Sequence, residues 1–201
     1  EYTYTLETGV PAGTLTKYIV QDTLDQKLEV PTDANMAERV AVEGFELGTD
    51  YTVTVSGQTI QVEFTEGGRG KLQAGSQVKT TIKTRTTEAV QHVPNQGTLI
   101  YNNGSSDTDT TQNTNKVHTY WGQLEVTKTD EGTKPLKGAE FELVRCQATA
   151  GTTGTDQTWA QITDTGAQSA YSSTGDTTKP VNKFVTGNDG KVTISGIHVE
   201  D

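Results

Sequence analysis

Several polar side chains of this chain stand where a strand ordinarily carries apolar ones. Successive residues of a strand point to opposite faces, so positions i, i+2 and i+4 share one. In Leu124-Glu125-Val126-Thr127-Lys128 that rule places Lys128 with Leu124 and Val126. In Tyr18-Ile19-Val20-Gln21-Asp22 it places Asp22 with Tyr18 and Val20. In Asn113-Thr114-Asn115-Lys116-Val117 both asparagines share a face with Val117. A buried lysine or aspartate is costly unless it is paired or neutral. Either each group lies at a strand end with its head group in water, or burial serves a reaction. A neutral amine, a neutral carboxyl group and a carboxamide in one apolar place can form an isopeptide bond. The amine attacks the asparagine side-chain carbonyl, the bond from that carbon to the amide nitrogen breaks, and ammonia leaves. The protonated acid polarises the carbonyl and relays protons. Such a reaction runs once per molecule, and it constrains the chain as a disulfide does without being reducible.

Other chemistries find less support. His92, His118 and His198 lie far apart in sequence with no cysteine or carboxylate at ligand spacing, so neither a metal site nor a cofactor is expected. No serine or cysteine occupies a nucleophile elbow. Gly67-Gly68-Arg69-Gly70 lacks the Lys-Ser/Thr ending of a phosphate loop and reads as a turn. A glycosidase would need two carboxylates facing one cleft, and 6% aromatic residues leave little for a sugar platform. No enzyme acting on an outside substrate is expected. A net charge of −10 argues against nucleic acid, whose phosphates need clustered Lys and Arg. No apolar run approaches a membrane span, and no signal peptide opens the sequence; the chain reads as cut at both ends. Cys146 is the single cysteine, either a buried thiol or one whose partner lies beyond the fragment.

The elements that would position these groups are strands. Only 31% of the 201 residues are hydrophobic, but they fall in short alternating runs, and 38 residues are Thr, a β-branched side chain suited to the wet face of a sheet. Strands are expected over 2–6 and 15–22, in a hairpin that alternates Tyr51, Val53, Val55 and then Ile60, Val62, Phe64, around Val78–Ile82, near Gly97–Tyr101 and over Thr114–Tyr120. Thr65 to Gln73 reads as a loop or a single helical turn. The spacing indicates a β-sandwich in residues 1–121. A second unit, 122–201, opens with the strand Gln123–Lys128, continues through Ala139–Cys146, and closes with a hairpin around Gly187-Asn188-Asp189-Gly190. Between them, residues 147–182 read as a long polar insertion. The fold class expected is all-β, two tandem Ig-like sandwiches with the second incomplete.

Val126-Thr127-Lys128-Thr129-Asp130, Pro135-Leu136-Lys137-Gly138-Ala139-Glu140-Phe141-Glu142-Leu143 and Thr186-Gly187-Asn188-Asp189-Gly190-Lys191-Val192 together resemble the opening two-thirds of a CnaB-type domain of Gram-positive adhesins and sortase-assembled pilins. The resemblance implies that Lys128 is an isopeptide lysine, whose glutamate and asparagine come later than residue 201. Glu140 and Glu142 do not match that glutamate. Residues 1–122 resemble the middle domain of major pilins through Tyr18–Leu24, the Thr65–Gln73 turn and the Asn-rich strand leading to Tyr120. This implies Asp22 as the helper acid, Asn113 (second choice Asn115) as the asparagine, and a lysine just upstream of Glu1. Cys146 would then form a disulfide with a cysteine beyond the fragment, as in some corynebacterial and actinomycete shaft pilins. The implied function is a structural subunit of a covalently polymerised, adhesive pilus on the cell wall, outside the cell. Its partners would be other pilin subunits and a pilin-specific sortase, with a host surface or glycan as a further ligand. The alternative is the stalk of a monomeric wall-anchored adhesin.

Overall fold

Alternation of Tyr, Leu, Val and Ile with Thr, Glu and Gln produces strands that bury one face and wet the other. The computed structural model describes residues 2–149, 158–161 and 166–198, which divide into two compact units: 1–86 with 92–119, and 87–91 with 120–201. The described residues are all-β apart from two short helices.

The first unit runs β1 (Tyr2–Gly9), β2 (Lys17–Thr23), α1 (Met36–Arg39), β3 (Val40–Val42), β4 (Tyr51–Ser56), β5 (Thr59–Phe64), α2 (Glu66–Lys71), β6 (Gln77–Thr84), β7 (His92–Asn95), β8 (Thr98–Asn102) and β9 (Thr110–Asn113). Two antiparallel sheets result, one ordered β1-β6-β3 and the other β4-β5-β2-β8-β9. Tyr4, Leu6 and Thr8 of β1 point inward beside Ile82, Thr80 and Val78 of β6. Across from them lie Tyr18, Val20 and Asp22 of β2, flanked by Ile60, Val62 and Phe64 of β5 and by Leu99 of β8. The Tyr18 phenol crosses this core to Thr8 Oγ1 at 2.9 Å, joining the two sheets. Gly97 lets them close, since a Cβ there would lie 2.9 Å from Leu6 Cδ2.

Local chemistry sets the turns. Ser56 pairs with Thr59, leaving the two-residue loop Gly57-Gln58, and Gly57 supplies the positive φ (+57°) that such a hairpin needs at its first central position. Thr65 caps α2 by accepting the Gly68 amide at 3.0 Å, so the glycine-rich stretch is a short helix. The strand expected over Thr114–Tyr120 begins only at Val117. Thr114 leaves the ladder because its amide donates to Gly97 O (2.9 Å) while its hydroxyl accepts the Gly97 amide (2.8 Å).

The strand β10 (Val117–Thr127) opens in the first unit and continues into the second. There follow β11 (Glu140–Val144), β12 (Cys146–Ala148), β13 (Trp159–Gln161), β14 (Ala167–Gln168), β15 (Tyr171–Ser172), β16 (Lys183–Val185) and β17 (Lys191–His198). One sheet of this unit orders β15-β17-β10, another β14-β11-β16, and β12 pairs with β13. Its core is Ala170, Phe184, Val192 and Ile194, against which Val126, Phe141 and Leu143 pack half-buried. The insertion expected at 147–182 thus contributes β13 to β15 and most of β12 to the described structure. Within it Ala170 and Tyr171 are buried, 2% and 5% exposed, and Val181 packs against the same core.

Candidate functional site

Asp22 reaches the core because Tyr18 and Val20 set the parity of β2, which leaves its carboxyl group 1% exposed. Oδ2 accepts a hydrogen bond from Asn95 Nδ2 at 2.9 Å, and Asn95 is itself buried. Asp22 Oδ1 and Asn95 Oδ1 are both buried with no hydrogen-bond partner. Buried polar atoms in folded proteins are rarely left so, and two in one contact mark a place built for a donor. Burial pushes the Asp22 carboxyl up from the usual range, opposed more weakly by the Asn95 amide and the Thr23 backbone. Burial also pushes up the Tyr4 phenol, and the Asp22 charge adds to it.

The arrangement has a definite chemistry. Raising the carboxyl value favours the neutral acid. Once protonated, Asp22 can donate to the Asn95 carbonyl oxygen if the amide turns over, an exchange of two nearly isosteric groups. A carbonyl so polarised is open to an amine. Among the described residues no lysine is buried.

The structure does not bring Asn113 or Asn115 to Asp22. Gln21 pairs with Thr98, and Thr98 pairs with Asn113, so Asn113 shares the face of Gln21, opposite that of Asp22. It is exposed, and its Oδ1 accepts from Thr98 Oγ1 at 3.3 Å. Asn115 lies beyond the end of β9, exposed, beside an open cleft that Asn113, Glu7 and Gln77 also line. The residue that meets Asp22 is one the sequence reading passed over. Val93 and Asn95 share a face of β7, the signal used for Asp22, but Pro94 between them argues against a strand.

Lys128 follows β10, with its amide donating to Gly190 O (2.8 Å) and its carbonyl accepting from Leu136 (2.9 Å). Its side chain is exposed, on the side where Leu124 is 46% exposed and Val126 half-buried. Gly190 permits this approach, since a Cβ there would sit 2.5 Å from Lys128 O. Cys146 opens β12 as an exposed free thiol. No helix among the described residues is long and apolar enough to cross a membrane.

Known proteins bear on these units. Residues 122–201 match the SpaA family, a prealbumin-like fold domain. The chain is 29% identical over 206 residues to the fimbrial subunit type 2 of Actinomyces naeslundii, covering 92% of this chain and 35% of that subunit. The full-length major pilin SpaD of Corynebacterium diphtheriae is 32% identical with a TM-score of 0.70, covering all of this chain and 47% of SpaD. Against domains D2 and D3 of SpaD the identity is 31%, the TM-score 0.69, and 70% of that chain is covered. The sequence therefore spans about a third of the fimbrial subunit and half of full-length SpaD. With a SpaA domain at one end and SpaD likeness along its whole length, the chain belongs to the major pilin family of Gram-positive bacteria.

Proposed function

We propose that this chain is part of the shaft subunit of a covalently assembled surface pilus, and that its first unit is closed by a lysine–asparagine bond at Asp22 and Asn95. The observation that carries the reading is the buried Asp22–Asn95 contact, with one oxygen of each partner awaiting a donor. The amine comes from a lysine upstream of Glu1. Its Nζ attacks Asn95 Cγ, the Cγ–Nδ2 bond breaks, and Asp22 passes protons so that ammonia departs. Low exposure keeps the amine unprotonated and the acid protonated through the same desolvation.

The second unit follows the same logic one domain on. Lys128 lies on a face that Leu124 and Val126 leave partly open, which a further strand carrying a glutamate and an asparagine would cover. Cys146 pairs with a cysteine in that later segment. Other pilin subunits and a pilin-specific sortase are the assembly partners, outside the cell on its wall, and adhesion is the task of the assembled fibre.

Intact mass of the denatured, longest natural form tests this, with tryptic mapping of joined peptides. One ammonia is missing per closed domain, with Asn95 in a branched peptide, and Asp22→Ala restores the first. A mass equal to the sequence would overturn the cross-link. A branch at Asn113 or Asn115 would overturn the assignment of Asn95.

A further inference from the structure

Tyr4 carries a buried oxygen that, like Asp22 Oδ1 and Asn95 Oδ1, has no hydrogen-bond partner. The packing of β1 on β2 brings it to the same place. Thr8 meets the Tyr18 hydroxyl at 2.9 Å. Two residues back along β1, Leu6 lies against Gly97, where a Cβ would sit 2.9 Å from Leu6 Cδ2 and 3.3 Å from the Gln21 carbonyl oxygen. The two strands therefore run in opposite directions across the core. One further step of two residues on each sets Tyr4 over Asp22, both of them buried. The Tyr4 ring meets the Tyr2 ring edge-on, with centroids 5.3 Å apart and planes at 83°, a contact that holds it in place. Burial pushes the Tyr4 phenol up, opposed by Tyr2 and Thr119 and aided by the Asp22 charge, so the hydroxyl keeps its proton.

We propose that Tyr4 is a catalytic residue of the cross-link at Asp22 and Asn95, its hydroxyl donating to Asn95 Oδ1 as that oxygen gains negative charge. The inference rests on the cross-link proposed above. Attack at Asn95 Cγ opens the carbonyl, and an electron pair moves onto Oδ1. With the amide turned over, Oδ1 takes the place beside Asp22 Oδ2 that Nδ2 holds at 2.9 Å, on the side that Tyr4 covers. A carbonyl oxygen has two lone pairs and can accept from both groups. The Asp22 carboxyl and the Tyr4 phenol are both pushed by burial toward the protonated form, the form that donates. Together they make an oxyanion site in a water-poor core, where a preset donor is worth far more than in water. A tyrosine paired with a neutral aspartic acid is a known donor set for such an oxygen.

The step balances without an added reactant. Nζ bonds to Cγ, and one of its protons passes by way of Asp22 to Nδ2. The Cγ–Nδ2 bond then breaks, the pair on Oδ1 re-forms the carbonyl, and ammonia leaves. Tyr4 gives up no proton and ends as it began. Asp22 thus moves protons and steadies charge, whereas Tyr4 only steadies charge. Loss of the Tyr4 hydroxyl therefore slows closure, and loss of the Asp22 carboxyl abolishes it. The same loss at Tyr4 does not weaken the fold, because it removes a buried hydroxyl that has no partner.

The test follows ammonia loss over time in the longest natural form, made by cell-free synthesis, quenched in acid at intervals and read by intact mass with peptide mapping. Tyr4→Phe is expected to close at Asn95 about a hundredfold or more slowly than wild type, the usual cost of one oxyanion donor. Its melting temperature before closure should be no lower than that of wild type, which separates lost charge stabilisation from lost packing. Wild type that closes at Asn95 with Tyr4→Phe keeping pace overturns the role of Tyr4 and leaves the cross-link standing. Wild type that never closes, or that branches elsewhere, overturns the cross-link and this role with it. Should Tyr4→Phe fail to fold by circular dichroism, 3-fluorotyrosine at position 4 supplies a stronger donor of nearly the same shape. Closure faster than wild type then supports the role, and closure unchanged or slower overturns it.

Discussion

Replacing Asp22 by asparagine has opposite consequences in two forms of this protein. In residues 1–201 the Asp22 carboxyl is 1% exposed, with one oxygen on Asn95 and the other on nothing. Its folded value is raised by burial. A group with a raised folded value holds its proton more tightly in the fold, so its contribution to stability is present at low pH and lost as pH rises through that value. Asp22→Asn removes the charge and keeps a carbonyl oxygen for Asn95 Nδ2. A buried polar group without a partner costs about 1–3 kcal/mol, more when charged. The variant is therefore stabilised by about 1–3 kcal/mol at about pH 8, a Tm rise of about 4–8 °C per kcal/mol for a domain near this size. Toward about pH 4.5 the gain shrinks, because wild-type Asp22 is then closer to neutral. In the longest natural form the sign reverses. There the proposed cross-link would need the acid, and its loss would cost about 2–4 kcal/mol by analogy with a disulfide. Thermal melts by circular dichroism of both forms, at both pH values, read the difference. Coincident curves for wild type and variant in residues 1–201 at the higher pH would refute the reasoning, as would a gain that grows in acid.

Two further substitutions probe the scaffold. Gly68→Ala drives a methyl to 1.9 Å from the Asp50 carbonyl oxygen, a backbone atom with nowhere to go, and lowers stability by about 1–3 kcal/mol in urea unfolding; an unchanged midpoint would contradict the packing of α2. Phe184→Ala empties the centre of the second unit, where Phe184 is fully buried, and costs about 3–5 kcal/mol; differential scanning calorimetry should show the second unit melting earlier with the first unmoved.

Alternation carried most of the fold in the sequence. Tyr4/Leu6, Tyr18/Val20/Asp22 and Ile60/Val62/Phe64 are legible as buried faces because period-two burial leaves its mark on every second residue. The helix α1 left no such mark, since four residues cannot show a helical period. Of the Asp22–Asn95 contact, the burial of Asp22 was legible. Asp22 was found as a polar residue on an apolar face, whereas Asn95 was hidden by Pro94, a residue that speaks against strands although β7 tolerates it. Asn113 lies away from Asp22 for a different reason. Its partner across two strands is Gln21 and not Asp22, and such register is a long-range property that no local window contains.

The location of Asn95 on β7, ahead of β8, β9 and β10, decides how a pull on the fibre would travel. With an upstream lysine bonded to Asn95, tension bypasses everything from β1 to β7, which can unfold inside a closed ring without lengthening the chain. With Lys128 bonded as proposed as well, the stretch that remains in series runs from Asn95 to Lys128, 33 steps of chain that include β8, β9 and β10, held by hydrogen bonds and packing alone. Drawn straight, it supplies roughly 110 Å of reach. The join between two covalently locked domains would then be a spring of fixed travel, able to give way under a sudden load and refold when it passes.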